Sequence, residues 1–557
     1  MKIATVVVLG AALQLLASTS IVEGLPFDSQ TAKYDNWRKT IDHARKLTGV
    51  PGMSVAVMHK GKVIFAEGFG QRNKNGDPVT AETLMPIGSM TKAMTAAMIG
   101  ELVAEGKLDW DKTPVVEYVP EARFSPVLSE ELTLSDYLSH RSGLPHDDTP
   151  WTNTTETRAQ VFRRLKNFNL PTKLSTNLQY SNVGYAISGE AAANVAGVPY
   201  EQLVHDKIFR PLGLSHTGFS PVEMGKRPNH AMPFYSDSLK DAQAGIFHEG
   251  YLDRLIEFDS AAGDIYSNMD DLLKWGRTIM KYGEWDGEQI LNRASVEQLL
   301  TARTIARGVR TLPELGPATT YSFGWFADSY KGQSVYYHGG NTLGFSSIIA
   351  LFPESDLVIA SLTNTYAAMY PNFVYYYLAD EILNLPKTQD WTEAALAMTE
   401  RVYNGTEEAR KGNFPRRQKN THPSHPLKEY VGVYTHPLFA GDVTLTLKDN
   451  HLIFHFTTFV SRMEHYHFDS FSFTFDVWSV KSAQLVTFLT GQDGKISGFE
   501  FEHIDKMLIF EKKEESKIQE ENDNVQEDET EEMQEEEKES AFEQGADHMQ
   551  FKLLRAL

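Results

Sequence analysis

Cysteine is absent from the 557 residues. That absence excludes disulfides, thiolate-ligated zinc and thiol catalysis. Positive charge is scarce: 53 lysines and arginines stand against 74 acidic residues, for a formal net charge of −21. Phosphate-backbone binding needs clustered Lys and Arg, so nucleic acid is not an expected partner. Long apolar runs are missing after the N-terminal region, so no later segment reads as membrane-spanning and no membrane partner is expected.

The one early run, Ile3 to Leu16, follows Lys2 and is short for a bilayer. Small residues come after it, with cleavage expected after Ser20 or Gly24, so residues 1–24 read as a secretory signal and the protein as extracellular. Asn153-Thr-Thr155 and Asn404-Gly-Thr406 are glycosylation sequons, usable on a eukaryotic secretory route. A secreted chain without disulfides is stabilised by its core, and 41% hydrophobic residues are enough for two folded units.

Negative charge is unevenly spread. Between Glu514 and Asp547 there are 16 acidic residues against Lys517 and Lys538, a net of −14 and two thirds of the total. With almost no aromatics, residues 513–557 read as a disordered acidic tail. Dense carboxylates on such a tail can bind Ca²⁺ diffusely without a dedicated site, and no other cofactor is expected.

Thr31 to Thr48 has helical spacing. Met53 to Met58 and Val63 to Ala66, around a Gly turn, read as an antiparallel hairpin. Ser89 to Glu105 is rich in Ala and Met and closed by Gly106, the pattern of a buried helix. Ser334 to Tyr337, Phe345 to Phe352 and Leu357 to Leu362 read as adjacent antiparallel strands, followed by a helix over Tyr370 to Leu385. Strands at both ends with helices between predict one sheet built from both termini of a domain spanning 25–386. Residues 387–426 lose periodicity, carry Arg401, Arg410, Lys411, Arg416, Arg417 and Lys419 with prolines, and read as a polar linker. From 427 to 512 the pattern changes to short alternating strands, including Val443 to Leu447, His451 to Phe456, Ser470 to Phe475 and Gln484 to Phe488. That predicts a small all-β sandwich or barrel.

Ser89-Met-Thr-Lys92 opens the buried helix and is the only Ser-x-x-Lys in the chain. Three residues make about one turn, so hydroxyl and amine share a face. The helix N-terminus and apolar neighbours both disfavour a proton on Lys92, which suits a neutral base beside a serine nucleophile. Tyr180-Ser-Asn182 offers a phenol for proton relay and an amide for positioning, although Tyr-x-Asn recurs at Tyr34 and Tyr370. His338-Gly-Gly340, followed by Asn341, is expected to end a strand and enter a glycine turn whose N–H groups form half of an oxyanion hole. His-x-Gly recurs at His59, His216 and His248, so order and context carry the reading: a helix-borne Ser-x-x-Lys, a loop Tyr-x-Asn, then a strand-borne triplet.

In these three motifs the chain resembles the serine β-lactamase and penicillin-binding-protein superfamily, in its class C and D-aminopeptidase/esterase branch. Val50-Pro-Gly52, Gly68-Phe-Gly70, Ser139 to Pro145, Phe209 to Thr217 and Ala262 to Ser267 look like further landmarks, and the resemblance covers roughly residues 35–385. It implies an α/β (α+β) β-lactamase/transpeptidase-like fold, an antiparallel sheet flanked by helices. It also implies Ser89 as acylated nucleophile, Lys92 and Tyr180 sharing the general-base role, and Asn182 orienting Lys92 or substrate. The N–H groups of Ser89 and Asn341 would bind the oxyanion. His338 stands where many relatives have lysine, and Gly339 lacks the hydroxyl found in their Lys-Thr-Gly or Lys-Ser-Gly. An anionic substrate would lose about 1–3 kcal/mol of fixation there, so esterase- or peptidase-like hydrolysis of a small molecule or peptide is favoured over penicillin turnover. Residues 427–510 resemble the lipocalin-like domain found behind some of these hydrolases. A secreted, acidic-tailed member is also similar to gigasin-type shell-matrix proteins, which implies an alternative: a calcified-matrix protein whose partners are calcium carbonate mineral or other matrix proteins.

Overall fold

The computed structural model describes residues 27–125, 127–168, 177–252, 257–307, 312–366, 368, 370–412, 414–477, 480–503 and 506–514. The signal and nearly all of the acidic tail lie outside the described residues. No described helix is long and apolar enough to cross a membrane.

An eight-stranded antiparallel sheet forms the centre of the first domain. Its strands are β1 (Gly52–His59), β2 (Lys62–Gly70), β3 (Thr304–Arg307), β4 (Thr319–Tyr321), β5 (Phe326–Tyr330), β6 (Gln333–Thr342), β7 (Phe345–Phe352) and β8 (Leu357–Thr363), in the order β3-β4-β5-β6-β7-β8-β1-β2. The two chain ends of the domain therefore meet at the β8–β1 pair, with Met53 opposite Thr363.

Strand periodicity explains why both faces are covered. Along β8, Leu357 and Ile359 join one core, whereas Val358, Ala360 and Leu362 join the other. Successive side chains point to opposite faces, so a continuously apolar strand needs a helical layer on each side. One layer holds α1 (Phe27–Leu47), α5 (Pro371–Leu383) and α6 (Trp391–Lys411), through Trp37, Val374 and Trp391. The other holds α2 (Thr91–Ala104), α3 (Asn182–Ala196) and α4 (Met269–Met280), through Met94, Tyr185 and Leu272. Helix α2 is buried almost all round, as a helix without a polar face must be.

Helix α6 corrects the reading of 387–426 as linker. It is 21 residues long, N-capped by Asp390, and buries Trp391, Ala395 and Thr399. A stripe that narrow, mostly Ala and Thr among charged residues, has little hydrophobic periodicity to detect. Its anchor is tertiary: the Trp391 ring stacks 4.7 Å from Tyr376 and its N–H donates to buried Asp380 at 2.9 Å. A second correction concerns β6. The strand does not end at His338 but runs to Thr342, with His338 opposite Ile349 and Asn341 opposite Ser346.

The second domain is a nine-stranded antiparallel sheet: β9 (Gly432–Thr435), β10 (Val443–Lys448), β11 (His451–Phe456), β12 (Phe459–Arg462), β13 (Glu464–His467), β14 (Ser470–Val477), β15 (Val480–Thr490), β16 (Ile496–His503) and β17 (Lys506–Lys512). The order is β12-β11-β10-β9-β17-β16-β15-β14-β13, so strands adjacent in the chain lie at its two ends. The sheet curls until those ends approach, and Phe459 of β12 stacks 4.0 Å from Phe475 of β14. Its concave side is filled by aromatics, among them Tyr434, Phe454, Phe488, Phe499 and Phe510.

Candidate active site

Ser89 sits in a 3₁₀ turn, Gly88–Met90, which leads directly into α2. The Ser89 side chain is partly exposed, while Lys92, one turn on, is fully buried. The Lys92 Nζ lies 3.0 Å from Ser89 Oγ, 2.7 Å from Asn182 Oδ1 and 2.9 Å from the Ala262 carbonyl oxygen. Burial lowers the Lys92 pKa to about 7, against the opposing pull of Asp148 and Asp259. A neutral amine has two hydrogens and one lone pair. Asn182 Oδ1 and Ala262 O can only accept, so they take both hydrogens and leave the lone pair facing the Ser89 hydroxyl. That is the arrangement a general base requires.

Tyr180 lies over this pair, with Lys92 Nζ 4.8 Å from its ring centroid and its phenol hydrogen-bonded to Ser89. Burial raises the phenol above its ordinary pKa, so it is a neutral phenol and not a phenolate. The ring is held by His140, tilted against it with centroids 4.2 Å apart. His140 Nδ1 accepts the Ser181 N–H at 3.1 Å and its carbonyl accepts the Gln179 N–H at 3.0 Å. His140 has φ of +59°, a left-handed conformation that non-glycine residues seldom adopt. The Ser139 to Pro145 landmark thus forms the seat of the second motif.

His338 is 2% exposed and lies behind Tyr180, with ring centroids 6.4 Å apart. Its Nδ1–H donates to the Gly339 carbonyl at 2.6 Å, so Nε2 is left to accept the Tyr321 hydroxyl at 3.1 Å. Burial and then the Lys92 charge push its pKa down to about 3. His338 is therefore a neutral, fully engaged ring, with no charge to offer a substrate.

The glycines around it permit a close approach. A Cβ on Gly340 would lie 2.0 Å from the Ile87 carbonyl, and one on Gly88, at φ +53°, would lie 2.7 Å from Asn341 N. Strand β6 can pack against the Ser89 turn only because both side chains are missing. That contact brings the Asn341 N–H beside the Ser89 turn. Ser89 is the second residue of the turn, so its own N–H has no partner within it. Two such donors beside the Ser89 hydroxyl are what an oxyanion hole would need. The Asn341 side chain is tied back, its Oδ1 accepting the Ser346 hydroxyl at 2.7 Å.

The structure thus brings Ser89, Lys92, Tyr180, Asn182, His338, Gly340 and Asn341 together. It adds two carboxyls that sequence reasoning missed. Asp148 Oδ2 accepts the Asn182 Nδ2–H at 2.6 Å, while its Oδ1 is buried without a partner. Asp259 is 4% exposed, faces the Trp151 indole, and also has a buried oxygen without a partner. Burial raises both pKa values, and the nearby Asp148 charge raises Asp259 further. The Asn182 bond favours charge on Asp148, so of the two carboxyls Asp259 is pushed further towards its protonated form. The one sequence signal was the Asp147-Asp148 pair after Pro145, which tertiary structure alone connects to Asp259. Among the described residues, no cluster of three or more His, Asp or Glu is placed to hold a metal ion.

A serine hydroxyl, a buried lysine amine beside it, a neutral phenol and two backbone N–H donors together are the groups a serine hydrolase site needs. Comparisons with known proteins agree. The family described as Beta-lactamase matches residues 37–383, and a domain of unknown function, DUF3471, matches 416–520. The chain is 26% identical over 435 residues to an unguisins hydrolase of Aspergillus campestris, covering 73% of this chain and 76% of that one. It is 24% identical over 348 residues to the D-alanyl-D-alanine-carboxypeptidase/endopeptidase AmpH of Escherichia coli K12, covering 61% and 86%. The octameric penicillin-binding protein homologue from Pyrococcus abyssi shares the fold, with a TM-score of 0.56 at 21% identity over 86% of this chain and all of that one. The chain belongs to the β-lactamase family, within the serine β-lactamase and penicillin-binding-protein superfamily.

Proposed function

We propose that this protein is a secreted serine hydrolase that forms an acyl-enzyme on Ser89 and cleaves ester or peptide-type amide bonds without a neighbouring carboxylate. The observation that carries the reading is the contrast between a poised Lys92 and a third motif with no cation, His338 being neutral and engaged at both nitrogens. Ser89 Oγ attacks the carbonyl carbon while its proton passes to Lys92 Nζ. The resulting oxyanion lies between the N–H groups of Ser89 and Asn341. The proton then travels through Tyr180 to the leaving oxygen or nitrogen, the bond breaks, and water repeats the sequence on the acyl group. Both relatives are hydrolases, and the endopeptidase side of the Escherichia coli relative supports the peptide-type reading, since an internal peptide bond has no carboxylate beside it.

His338→Lys combined with Gly339→Thr tests the substrate side. It restores a cation and a hydroxyl, and should raise acylation by anionic β-lactams relative to neutral esters about tenfold, in line with about 1–3 kcal/mol of recovered fixation. Paired measurements of kcat/KM on both substrates check it. A flat ratio would mean that the third motif does not set substrate choice.

A second reading, a matrix protein that meets mineral or divalent cations, is favoured by the 16 carboxylates between Glu514 and Asp547. Truncation after Lys513 should leave ester hydrolysis unchanged and sharply reduce Ca²⁺ or carbonate-surface binding, most clearly at low ionic strength. Equal calcium titrations for both forms would return the tail to a solubilising role.

A further inference from the structure

The β-domain meets the hydrolase domain along helix α6, against which β15 packs, and separately at residues 150–168, the segment next to the active site. The Ala440 N–H donates to the Pro150 carbonyl at 2.7 Å. The Pro437 carbonyl accepts from Asn167 Nδ2 at 2.8 Å and from Arg164 Nη1 at 3.2 Å. Thr458 Oγ1 accepts from Asn153 Nδ2 at 2.5 Å. Ala440, 2% exposed, is packed into the core of the hydrolase domain, and Phe168 packs against the cores of both domains.

Pro150 is the middle residue of a 3₁₀ turn, Thr149–Trp151, and the residue just before that turn is Asp148. The Asp148 carbonyl accepts from the Trp151 N–H at 3.2 Å and the Thr152 hydroxyl at 2.9 Å, which ties its backbone to the gripped turn. Its carboxylate meets Asn182 Nδ2, and Asn182 Oδ1 meets Lys92 Nζ. An amide can present either end, but a carboxylate can only accept. Asp148 therefore turns the Asn182 NH₂ towards itself and the oxygen towards Lys92.

We propose that the C-terminal β-domain is a working part of the active site. By clasping the 149–151 turn, it makes Asp148 a positioning residue for Asn182 and the Lys92 base. The proposal rests on the acyl-enzyme reading above and specifies how its base is held. Trp151 anchors the turn in the hydrolase core and the clasp fixes its Pro150 side, where a shift of about 1 Å in a supporting group can cost up to about a hundredfold in rate.

The test uses full-length protein, a neutral activated ester and Ser89 labelling by a fluorophosphonate. Ala440→Pro deletes the N–H that holds Pro150, and Ala440→Gly keeps it. Ala440→Pro should lower kcat about tenfold or more with KM within about twofold, and Ala440→Gly should restore the wild-type values. A second readout separates positioning from loss of structure. The groups facing Lys92 are Asp148, Asp259, His140, His338, Tyr180 and Tyr185, and of these only the two carboxyls raise its pKa. Moving Asp148 away lowers that pKa, so the acid limb of the rate profile should shift to lower pH, and Asp148→Leu should shift it in the same direction.

Unchanged kcat and acid limb in an Ala440→Pro protein that still melts cooperatively would overturn the proposal. If that variant does not fold, Asn167→Leu with Thr458→Val removes two peripheral contacts only. It should lower kcat about two- to threefold with the same limb shift, and wild-type behaviour would overturn the proposal. Failure of the wild-type Ser89 to label would overturn the acyl-enzyme reading itself, and the proposal with it.

Discussion

Ser89→Ala should abolish fluorophosphonate labelling and lower ester hydrolysis at least about a thousandfold, as loss of the nucleophile does in other serine hydrolases. The expectation comes from how little else Ser89 does. Its hydroxyl contacts Lys92 and Tyr180, and Lys92 keeps Asn182 and Ala262 when the hydroxyl is gone. A methyl group fits where the hydroxymethyl stood, so melting should change by no more than about 1 kcal/mol of stability. Intact-mass spectrometry before and after the probe, with a parallel thermal melt, checks both halves. An Ser89→Ala protein that hydrolyses esters at the wild-type rate would remove the mechanism proposed here.

Lys92→Met should cost about 10²–10⁴ in kcat/KM, the usual worth of a positioned general base. The change keeps side-chain length and removes the only amine at Ser89 Oγ. The pH dependence follows from the Lys92 pKa of about 7. Below that value the amine is protonated and cannot accept the serine proton, so the wild-type rate should rise through pH 7 and level off above it. The Met variant should lose that limb. Stability should report the same group. Lys92 has a folded pKa below its ordinary value of 10.5, so between about 7 and 10.5 the unfolded chain binds more protons than the folded one. Stability therefore rises with pH across that window. The penalty for burying the charge is fully present below it. Melting of wild type and Lys92→Met from pH 6 to 9 should show the wild type gaining on the variant, and parallel curves would refute a buried, titrating lysine.

How much of this could be read from the chain depended on the range of the interactions. The Ser89 and Lys92 pairing is local, one turn of one helix, and the spacing alone was enough to predict it. Strands β1, β7 and β8 were equally legible, because unbroken apolar runs between turn residues have few other structures open to them. Helix α6 was not, since its stability comes from Trp391 meeting Tyr376 and Asp380, not from its own pattern. Strand β6 was read as too short because glycine is a poor strand former. Gly340 is there because a neighbouring carbonyl leaves no room for a Cβ.

The sequence by itself determined the order of the catalytic motifs, the lack of any thiol or disulfide, the change from mixed helix and strand to short strands after 427, and the acidic run after Lys513. Tertiary structure alone decided protonation. Lys92 is drawn towards its neutral form because a fully buried ammonium loses its hydration, and His338 is neutral because its ring is sealed among Tyr321, Phe326 and Tyr180. It also decided which carboxylate orients the amide beside the lysine, since Asp148 and Asp259 meet only when distant loops pack together. Hydration and Coulomb energies depend on what surrounds a group in space, and neighbours in the chain specify little of that.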